Sequence, residues 1–565
     1  MDPVIVAGAG PVGLALALAL ARREVPVVVL DEGTGVDERR PARTAVLRPD
    51  TAALVNRLGC AEALGRDRWT GWRTMRRRQL VRQVPFGAPP GQPETGGPAT
   101  AAPPPPVHLV QHDLTRALRA TLAHMAGSGL VTVAPGSRVD TLEQDAAGVS
   151  VHTRGPAGTW WRGSYLVGCD GPRSTVRKLL GVRFPGRTAV ERHAVAALHT
   201  ELPWPGEGVL HRSPAWRGAD GEVTARPLTG GVWRLDWLLP PGRDLVTPDA
   251  LLARVEDTLT GWCGDPAPPY QLLDTGVYTV HHRLARRWRV GRAFLAGDAA
   301  HLLGALGTQG LDEGLRDIAN LSWKLAVAWH RGATDADTLL DSYQTERRGA
   351  VGARLRAADQ ALPQVRASGG WPAVRRTVLP GAVRNHDTLL TDGHLGQGPL
   401  GAPPVYARSP LAPAAPPTGC VTVATEPGAQ AADVPVTAPD GATVGLRERL
   451  GGQLLVVLVA PGTGVWDRRH WMRAGLMPRL SAAVAALPMD AELLVAEEYP
   501  GAAAHTVLLI RPDGHLAAAL SGVRPAELYA CADAVRGGGT SRGAQHTAAE
   551  AAREPSPGSE ATARR

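Results

Sequence analysis

The stretch Val4-Ile5-Val6-Ala7-Gly8-Ala9-Gly10-Pro11-Val12-Gly13-Leu14-Ala15-Leu16-Ala17-Leu18-Ala19-Leu20-Ala21 decides the first domain. A short apolar run, a glycine-rich turn and then unbroken helix formers predict strand, turn and helix. A second apolar run, Val25 to Leu30, ends at Asp31 and Glu32. In such a unit Gly8 allows the tight turn, Gly10 lets backbone approach a pyrophosphate, and Gly13 lets the helix pack on the strand. Asp31 stands 23 positions beyond Gly8, where a carboxylate accepts a hydrogen bond from a ribose hydroxyl. An adenine dinucleotide is expected there, with Pro11, Val12 and Glu32 beside it.

At 565 residues the chain is too long for one hydrophobic core and should form two to four domains. Hydrophobic residues make up 44% and charged ones 20%, which excludes wholesale disorder. The apolar stretch Val12 to Ala21 is too short to cross a bilayer, and Asp2 precedes it where a secretory signal would carry positive charge. A cytoplasmic protein with no membrane partner is expected. The formal charge of +8 comes almost wholly from arginine, with lysine only at Lys178 and Lys324. Those arginines are scattered except at Arg76, Arg77 and Arg78, so no nucleic-acid footprint is expected. Cys60, Cys169, Cys263, Cys420 and Cys531 are all far apart, which excludes zinc ribbons and CxxC redox centres and predicts no metal site. Each is expected to be a small buried hydrophobe.

Residues 88 to 106 are Pro, Gly and Ala and predict an exposed loop. Leu114, Ala117, Leu118, Thr121, Leu122 and Met125 then recur at helical spacing behind Asp113, a candidate cap. Strands lead to Tyr165-Leu166-Val167-Gly168-Cys169-Asp170-Gly171-Pro172-Arg173. Between 183 and 280 lie strand-like runs carrying Trp204, Trp216, Trp233 and Trp237, read as a sheet with one aromatic-rich, core-forming face. Next come Phe294-Leu295-Ala296-Gly297-Asp298-Ala299-Ala300-His301, a loop from Leu302 to Thr308, and a helix from Gln309-Gly310-Leu311-Asp312 toward His330. A helix N-terminus there can stabilise an anion. On residues alone, His301 is a helix cap or core histidine and Asp298 a turn former. Pro and Gly crowd 396 to 417, a linker. Beyond it Leu454 to Val459, Leu493 to Ala496, Thr506 to Ile510 and Leu516 to Leu520 read as strands and His470 to Leu487 as a helix, a separate small α/β domain. Residues 537 to 565 should be disordered.

Three motifs stand in one order: Gly8 to Gly13, Asp170-Gly171, and Gly297-Asp298. Together with the Asn320-Leu321-Ser322-Trp323-Lys324-Leu325 helix, that order resembles the single-component FAD-dependent aromatic hydroxylases. These are flavoprotein monooxygenases with a p-hydroxybenzoate-hydroxylase-like fold. The likeness covers residues 1 to about 395, and the C-terminal part looks like the thioredoxin-like domain of polyketide-tailoring members. The resemblance implies an α/β chain, α+β overall: a Rossmann-like FAD-binding domain, an inserted β-sheet substrate domain and a C-terminal thioredoxin-like domain. The implied bounds are 1–182 for the first FAD-binding part, with a substrate-domain excursion at about 69–109. Substrate domain 183–280, second FAD-binding part 281–395, linker 396–417, thioredoxin-like domain 418–536 and tail 537–565 follow.

The same resemblance implies site residues. Gly8, Gly10, Gly13 and Asp31 would hold the ADP half of FAD, and Arg43 and Gln111 the flavin phosphates and ribityl chain. Asp170, Gly171 and Arg173 would serve FAD and NAD(P)H, and Gly297 with Asp298 the ribityl or pyrophosphate region. Gly307, Gln309, Gly310, Leu311 and Asp312 would meet the ring, with the backbone N–H groups of Gly310 and Leu311 doing the catalytic work and His301 the nearest titratable candidate. The implied cofactors are non-covalent FAD, NADPH or NADH, and O2, and the partner is a small aromatic substrate met by a monomer or homodimer. The implied reaction is hydroxylation of a phenolic or polycyclic aromatic through a flavin C4a-hydroperoxide. The alternatives are a Baeyer–Villiger or ring-opening oxygenation and a non-catalytic flavin-binding protein. Four departures from the family pattern stand out: Gly304-Ala305-Leu306-Gly307-Thr308 where Pro-Pro is usual, Asp312 where Asn is usual, Asp50 where relatives often carry Arg, and Pro461-Gly462-Thr463-Gly464 without cysteine. Asp312 is expected to cap its own helix.

Overall fold

In the computed structural model the described residues are 1–35, 38–65, 69–87, 104–155, 158–216, 221–240, 246–332, 336–366, 380–462 and 475–538. Contacts divide the chain into one unit of residues 1–322 and 347–403 and another of 323–346 and 404–565.

In the first unit, Val4–Ala7 sits in a six-stranded sheet between Val27–Leu30 and Tyr165–Gly168, parallel to both. Ala293–Leu295 lies parallel beside Tyr165–Gly168, and Val131–Ala134 beyond Val27–Leu30. The first three strands are buried along their whole length, which is why they read as unbroken apolar runs rather than alternating ones. Helix α1 (Pro11–Ala21) is apolar on every side and accordingly buried but for Val12. Fully burying each of Leu14, Leu16, Leu18 and Leu20 is worth about 1.5–3 kcal/mol. After the short helix α2 (Pro49–Arg57), α3 (Gln111–Met125) packs on α1 through Leu114, Leu118 and Leu122. Asp113 is not its cap. The helix already begins at Gln111, and the Asp113 carboxylate pairs with Arg39 instead, at 3.1 Å.

The second sheet of this unit has eight strands. Gly186–His199 lies at its middle, between Gln271–Leu284 and Val232–Leu238, followed by Glu222–Pro227 and Glu207–Arg212. Gly71–Arg76, Gln79–Pro85 and the short His301–Leu302 complete it, so residues 71 to 85 belong to this second sheet and not to the first. Trp237 is fully buried and Trp233 nearly so, while Trp204 and Trp216 pack against Trp262 with ring centroids 5.7 and 6.4 Å apart. The core reading holds for Trp233 and Trp237, while Trp204 and Trp216 are only half-buried. A helix, Pro248–Cys263, also lies within 183–280 where only strands were expected. Its signal was legible: Thr247 accepts from Ala250 N as N-cap, Pro248 opens the first turn, and Leu251, Val255, Thr258 and Leu259 are buried at helical spacing.

In the second unit a six-stranded mixed sheet runs Thr443–Gly445, Pro435–Thr437, Ala491–Ala496, Leu454–Val459, Thr506–Ile510, Leu516–Ser521. Met477–Ala485 and Pro525–Val535 are its helices. The first residues of the expected helix His470 to Leu487, through 474, lie outside the described residues, as do 88–103 and 539–565. Residues 323–346, expected with the second FAD-binding part, group with this unit instead. Glu346 accepts from Lys324 Nζ at 2.6 Å and from Arg511 Nη1 at 2.6 Å, a buried ion cluster that no contiguous division of the sequence reveals. The stretch 396–417 is not a bare linker, since Leu400, Tyr406 and Leu411 are all buried. Only Cys60 and Cys531 are buried cysteines; Cys169 is half-buried, and Cys263 and Cys420 are exposed, contrary to expectation. Among the described residues no helix is long and apolar enough to cross a membrane.

Candidate functional site

The three motifs are separated by more than a hundred residues each, yet they follow the carboxyl ends of three adjacent parallel strands. Gly8 follows Val4–Ala7, Cys169-Asp170 follows Tyr165–Gly168, and Gly297-Asp298 comes just after Ala293–Leu295. Ligands of open α/β sheets bind outside such ends. Side chains lock the motifs together. A Cβ on Gly13 would come within 2.0 Å of Gly8 O and 3.2 Å of Cys169 Cβ, so α1 meets the second motif only because that position has no side chain. Val12 plays the matching part toward the third: a Cβ on Gly297 would lie 3.2 Å from its Cγ1.

Next to this junction is a cleft of about 400 Å³ lined by Ala9, Gly10, Pro11, Asp31, Arg43 and Gln111, among others. Five of the residues assigned from sequence to the ADP and phosphate end are thus brought together. Gln111 N donates to Arg43 O at 2.9 Å and Arg43 Nε to Gln111 Oε1 at 3.2 Å, fixing both side chains on one wall. Asp31 Oδ1 accepts from Ala9 N at 3.2 Å. Glu32, by contrast, is exposed with Arg138 as a 3.7 Å neighbour, and Arg173 is exposed and lines neither cleft.

Arg40 and Arg43 continue into a larger cavity of about 670 Å³. One wall is the third motif with its loop: Asp298, Gly304, Leu306, Gly307, Thr308, Gln309 and Gly310, the last opening helix α4 (Gly310–His330). The opposite wall is the eight-stranded sheet, which presents Glu191, His193, Arg226, Arg234, Asp236 and Tyr278.

These residues form one network. His193 Nδ1 lies 2.7 Å from Asp236 Oδ1 and Nε2 lies 3.4 Å from Glu191 Oε2, while Tyr278 donates to Asp236 Oδ2 at 2.8 Å and stacks on the imidazole at 5.0 Å. Arg234 reaches Asp236 at 3.0 Å. Burial pulls the His193 pKa down, but Asp236 and Glu191 outweigh it and raise it to about 9. The imidazole is therefore a cation at neutral pH. Asp236 is held well below the usual carboxylate range: burial opposes ionisation, and His193 and Arg234 overcome it. Burial and the neighbouring Asp236 push the Tyr278 phenol up, so it stays protonated. None of these residues was singled out from sequence, although Glu191-Arg192-His193 and Arg234-Leu235-Asp236 carry the period-two placement of a polar sheet face.

Asp298 opens into the cavity and its pKa is raised, by burial first, against the pull of His301 and Arg43. His301 does not reach the cavity lining. It is fully buried, stacks on Trp288 at 5.3 Å, and lies 2.8 Å from Asp317 Oδ2, a core histidine by geometry. Asp317 is a hub the sequence reading missed: it also accepts from Gly297 N at 2.9 Å and from Arg347 Nε at 2.9 Å. Asp312 does not cap its own helix. Its carboxylate accepts from Arg48 N at 2.9 Å and from Thr51 Oγ1 and pairs with Arg316, so it anchors the start of α2, and Asp50 pairs with the same Arg316 at 2.7 Å.

The residues fit FAD. A Cβ on Gly10 would meet nothing within 4 Å, so the space the pyrophosphate needs is open there. Asp170 Oδ2 caps the short helix Thr175–Leu179 through Thr175 N and Val176 N, while its buried Oδ1 has no protein partner. Leu311 adjoins the cavity without lining it, but as part of the first turn of α4 its N–H has no partner within the helix.

Comparison with known proteins agrees. A 3-(3-hydroxy-phenyl)propionate/3-hydroxycinnamic acid hydroxylase of Mycobacterium sp. (strain JLS) is 33% identical over 363 residues, 61% of this chain and 57% of its own. A dialkyldecalin synthase of Streptomyces rugosporus is 32% identical over 375 residues, 64% of this chain and 72% of its own. The solved structure of OxyS anhydrotetracycline hydroxylase from Streptomyces rimosus matches with a TM-score of 0.60 at 25% identity, covering 92% of this chain and 96% of its own. The chain spans little more than half the length of the curated 3-(3-hydroxy-phenyl)propionate hydroxylases it matches. Residues 1–358, well over half of the 565, match the family described as FAD binding domain, and the chain belongs to that family.

Proposed function

We propose that the protein is an FAD-dependent monooxygenase that consumes NAD(P)H and O2 to hydroxylate an aromatic substrate. The observation that carries this reading is the 670 Å³ cavity, with the third-motif loop and a helix N-terminus on one side and a polar sheet face on the other. When bound, FAD supplies the redox chemistry, accepting a hydride from NAD(P)H and passing one oxygen atom of O2 to the ring. The chain's own residues position and shield. Arg43, Gln111 and the open side of Gly10 would hold the nucleotide end. The N-terminus of α4, with its N–H groups and dipole at Gly310 and Leu311, would stabilise negative charge on the bound ring. Across the cavity, the guanidinium groups of Arg226 and Arg234 would offer donors to the oxygens of a phenolic or polycyclic substrate, while His193 and Tyr278, whose own donors are taken by Asp236 and Glu191, hold that wall in place and the sheet excludes water behind it.

The test is direct. Purified protein should bind FAD, and NAD(P)H oxidation should rise on adding the right phenol, with one atom of labelled O2 in the product. No uptake of FAD would end the reading. Oxygen found between ring carbons would indicate instead a Baeyer–Villiger course. A second reading has its own support, because one relative is named a synthase rather than a hydroxylase: FAD is bound and no oxygen is transferred. Substrate conversion without label incorporation favours it. For the second unit, the parallel pair Leu454–Val459 and Ala491–Ala496 continued by antiparallel Thr506–Ile510 and Leu516–Ser521 supports a thioredoxin-like reading without a redox role.

A further inference from the structure

We propose that Glu191 is a positioning residue that fixes the 304–308 loop against the flavin side of the cavity. The loop is strained. Leu306, fully buried, adopts φ 55° and ψ 33°, the left-handed region that is unfavourable for a residue with a Cβ. Such a conformation persists only where the surroundings enforce it, and it concentrates at functional sites. Two enforcing contacts come from within or behind the loop. Thr308 closes the turn on itself, its N–H and Oγ1 both donating to Ala305 O at 3.1 and 2.8 Å. A Cβ on Gly307 would come within 2.7 Å of His394 N, so the loop already rests against backbone on that side.

The third comes across the cavity: Leu306 N donates to Glu191 Oε2 at 3.3 Å. Glu191 stands on the central strand of the substrate sheet, and the same oxygen faces His193 Nε2 at 3.4 Å. The carboxylate therefore bridges a buried imidazolium and the buried N–H of a strained residue. Asp236 and Tyr278 hold the far side of that imidazole, and Arg226, which donates to His394 at 3.0 Å, lines the same cavity beyond them. Removing the acceptor would leave a buried N–H unpaired beside a strained residue. The loop would relax, and Gly310, two residues beyond Thr308, would lose its placement. This inference rests on the flavin ring lying against that loop only for its consequence; the anchor itself is a property of the chain.

The test compares Glu191→Ala, Glu191→Asp and Glu191→Gln in the FAD-loaded full-length protein and again without FAD. Amide hydrogen exchange is followed by mass spectrometry on the peptide covering 304–308, alongside the visible flavin spectrum. In Glu191→Ala, exchange there should rise about 5- to 150-fold, the equivalent of 1–3 kcal/mol, while peptides from 4–30 stay protected. Glu191→Asp keeps the charge near His193 but is a methylene too short for Leu306 and should resemble Ala. Glu191→Gln keeps an acceptor at full length and should stay within about threefold of wild type. The flavin spectrum should shift in Ala and Asp but not in Gln. Wild-type exchange in the Asp variant, or Gln as fast as Ala, would overturn the proposal, as would protection lost equally across the whole sheet. Should the wild type not bind FAD at all, the proposed function fails while the exchange comparison still decides the anchor.

Discussion

Gly10 and Gly13 sit three residues apart in one motif, yet the structure assigns them opposite consequences on substitution. Gly10 has φ −72° and ψ 174°, extended backbone open to any residue, and a Cβ there meets nothing within 4 Å. Gly10→Val should therefore fold, losing at most about 1 kcal/mol from a poorer helix N-cap. What the side chain fills is the space beside the N-terminus of α1, where a pyrophosphate meets backbone N–H groups. Displacing it from two such contacts, at about 1.5–3 kcal/mol each for hydrogen bonds to a charged group, removes about 3–6 kcal/mol of binding. That is a 10²- to 10⁴-fold rise in Kd for FAD. Gly13→Ala is different: its Cβ would stand 2.0 Å from Gly8 O, so backbone must shift and the apoprotein itself loses about 1–3 kcal/mol or more. Urea unfolding of the apoproteins and fluorescence titration with FAD separate the two. Wild-type FAD affinity in Gly10→Val would refute the placement of the dinucleotide. An apoprotein as destabilised as Gly13→Ala would refute the claim of open space.

Other substitutions test the surrounding network. The His193 pKa is raised above its ordinary 6.5 to about 9, so the stabilisation it contributes is complete below pH 6.5 and is lost as pH rises through 9. The stability gap between wild type and His193→Gln should accordingly be widest at pH 6 and close by pH 10 in urea midpoints; a gap independent of pH would mean a neutral imidazole. Asp317→Asn keeps an oxygen for Gly297 N but removes the charge facing Arg347 and His301, and about 3 kcal/mol should be lost. That is the low end for a broken buried pair, because Arg347 retains Glu313 at 2.8 Å. FAD affinity should fall with it, and an unchanged affinity would separate the Gly297 turn from binding. Asp312→Asn leaves an acceptor for Arg48 N, and Arg316 retains Asp50 and Glu313, so the loss should be only about 0.5–1.5 kcal/mol with unchanged flavin potential. A large shift in potential would place that carboxylate toward the ring.

The nucleotide end was legible because its chemistry is local. Gly8, Gly10, Gly13 and Asp31 lie within one strand–helix–strand unit, and the conformations they permit are properties of a few consecutive residues. The helix from Gly310 to His330 was legible for the same reason, as were the buried strands of the sheet. The helix at Pro248–Cys263 was overlooked despite a cap and a spacing that announce it, since the tryptophans nearby suggested strands throughout.

What lay beyond one-dimensional reading is the polar wall of the eight-stranded sheet and its charge pairing. Glu191, Arg226, Asp236 and Tyr278 come from four strands whose order in the sheet is not their order in the chain, and only pairing brings their carboxylates and cations within 3–4 Å. The same holds for Asp317 and Asp312, whose partners, Arg316 apart, lie 16 to 264 residues away. Sequence alone determined the strand, turn and helix at Val4 to Ala21 and where its glycines are, because steric permission is written residue by residue. Tertiary structure decided which ionisable groups face each other and which face the cavity, because Coulomb energy and desolvation depend on distance through space and not on distance along the chain.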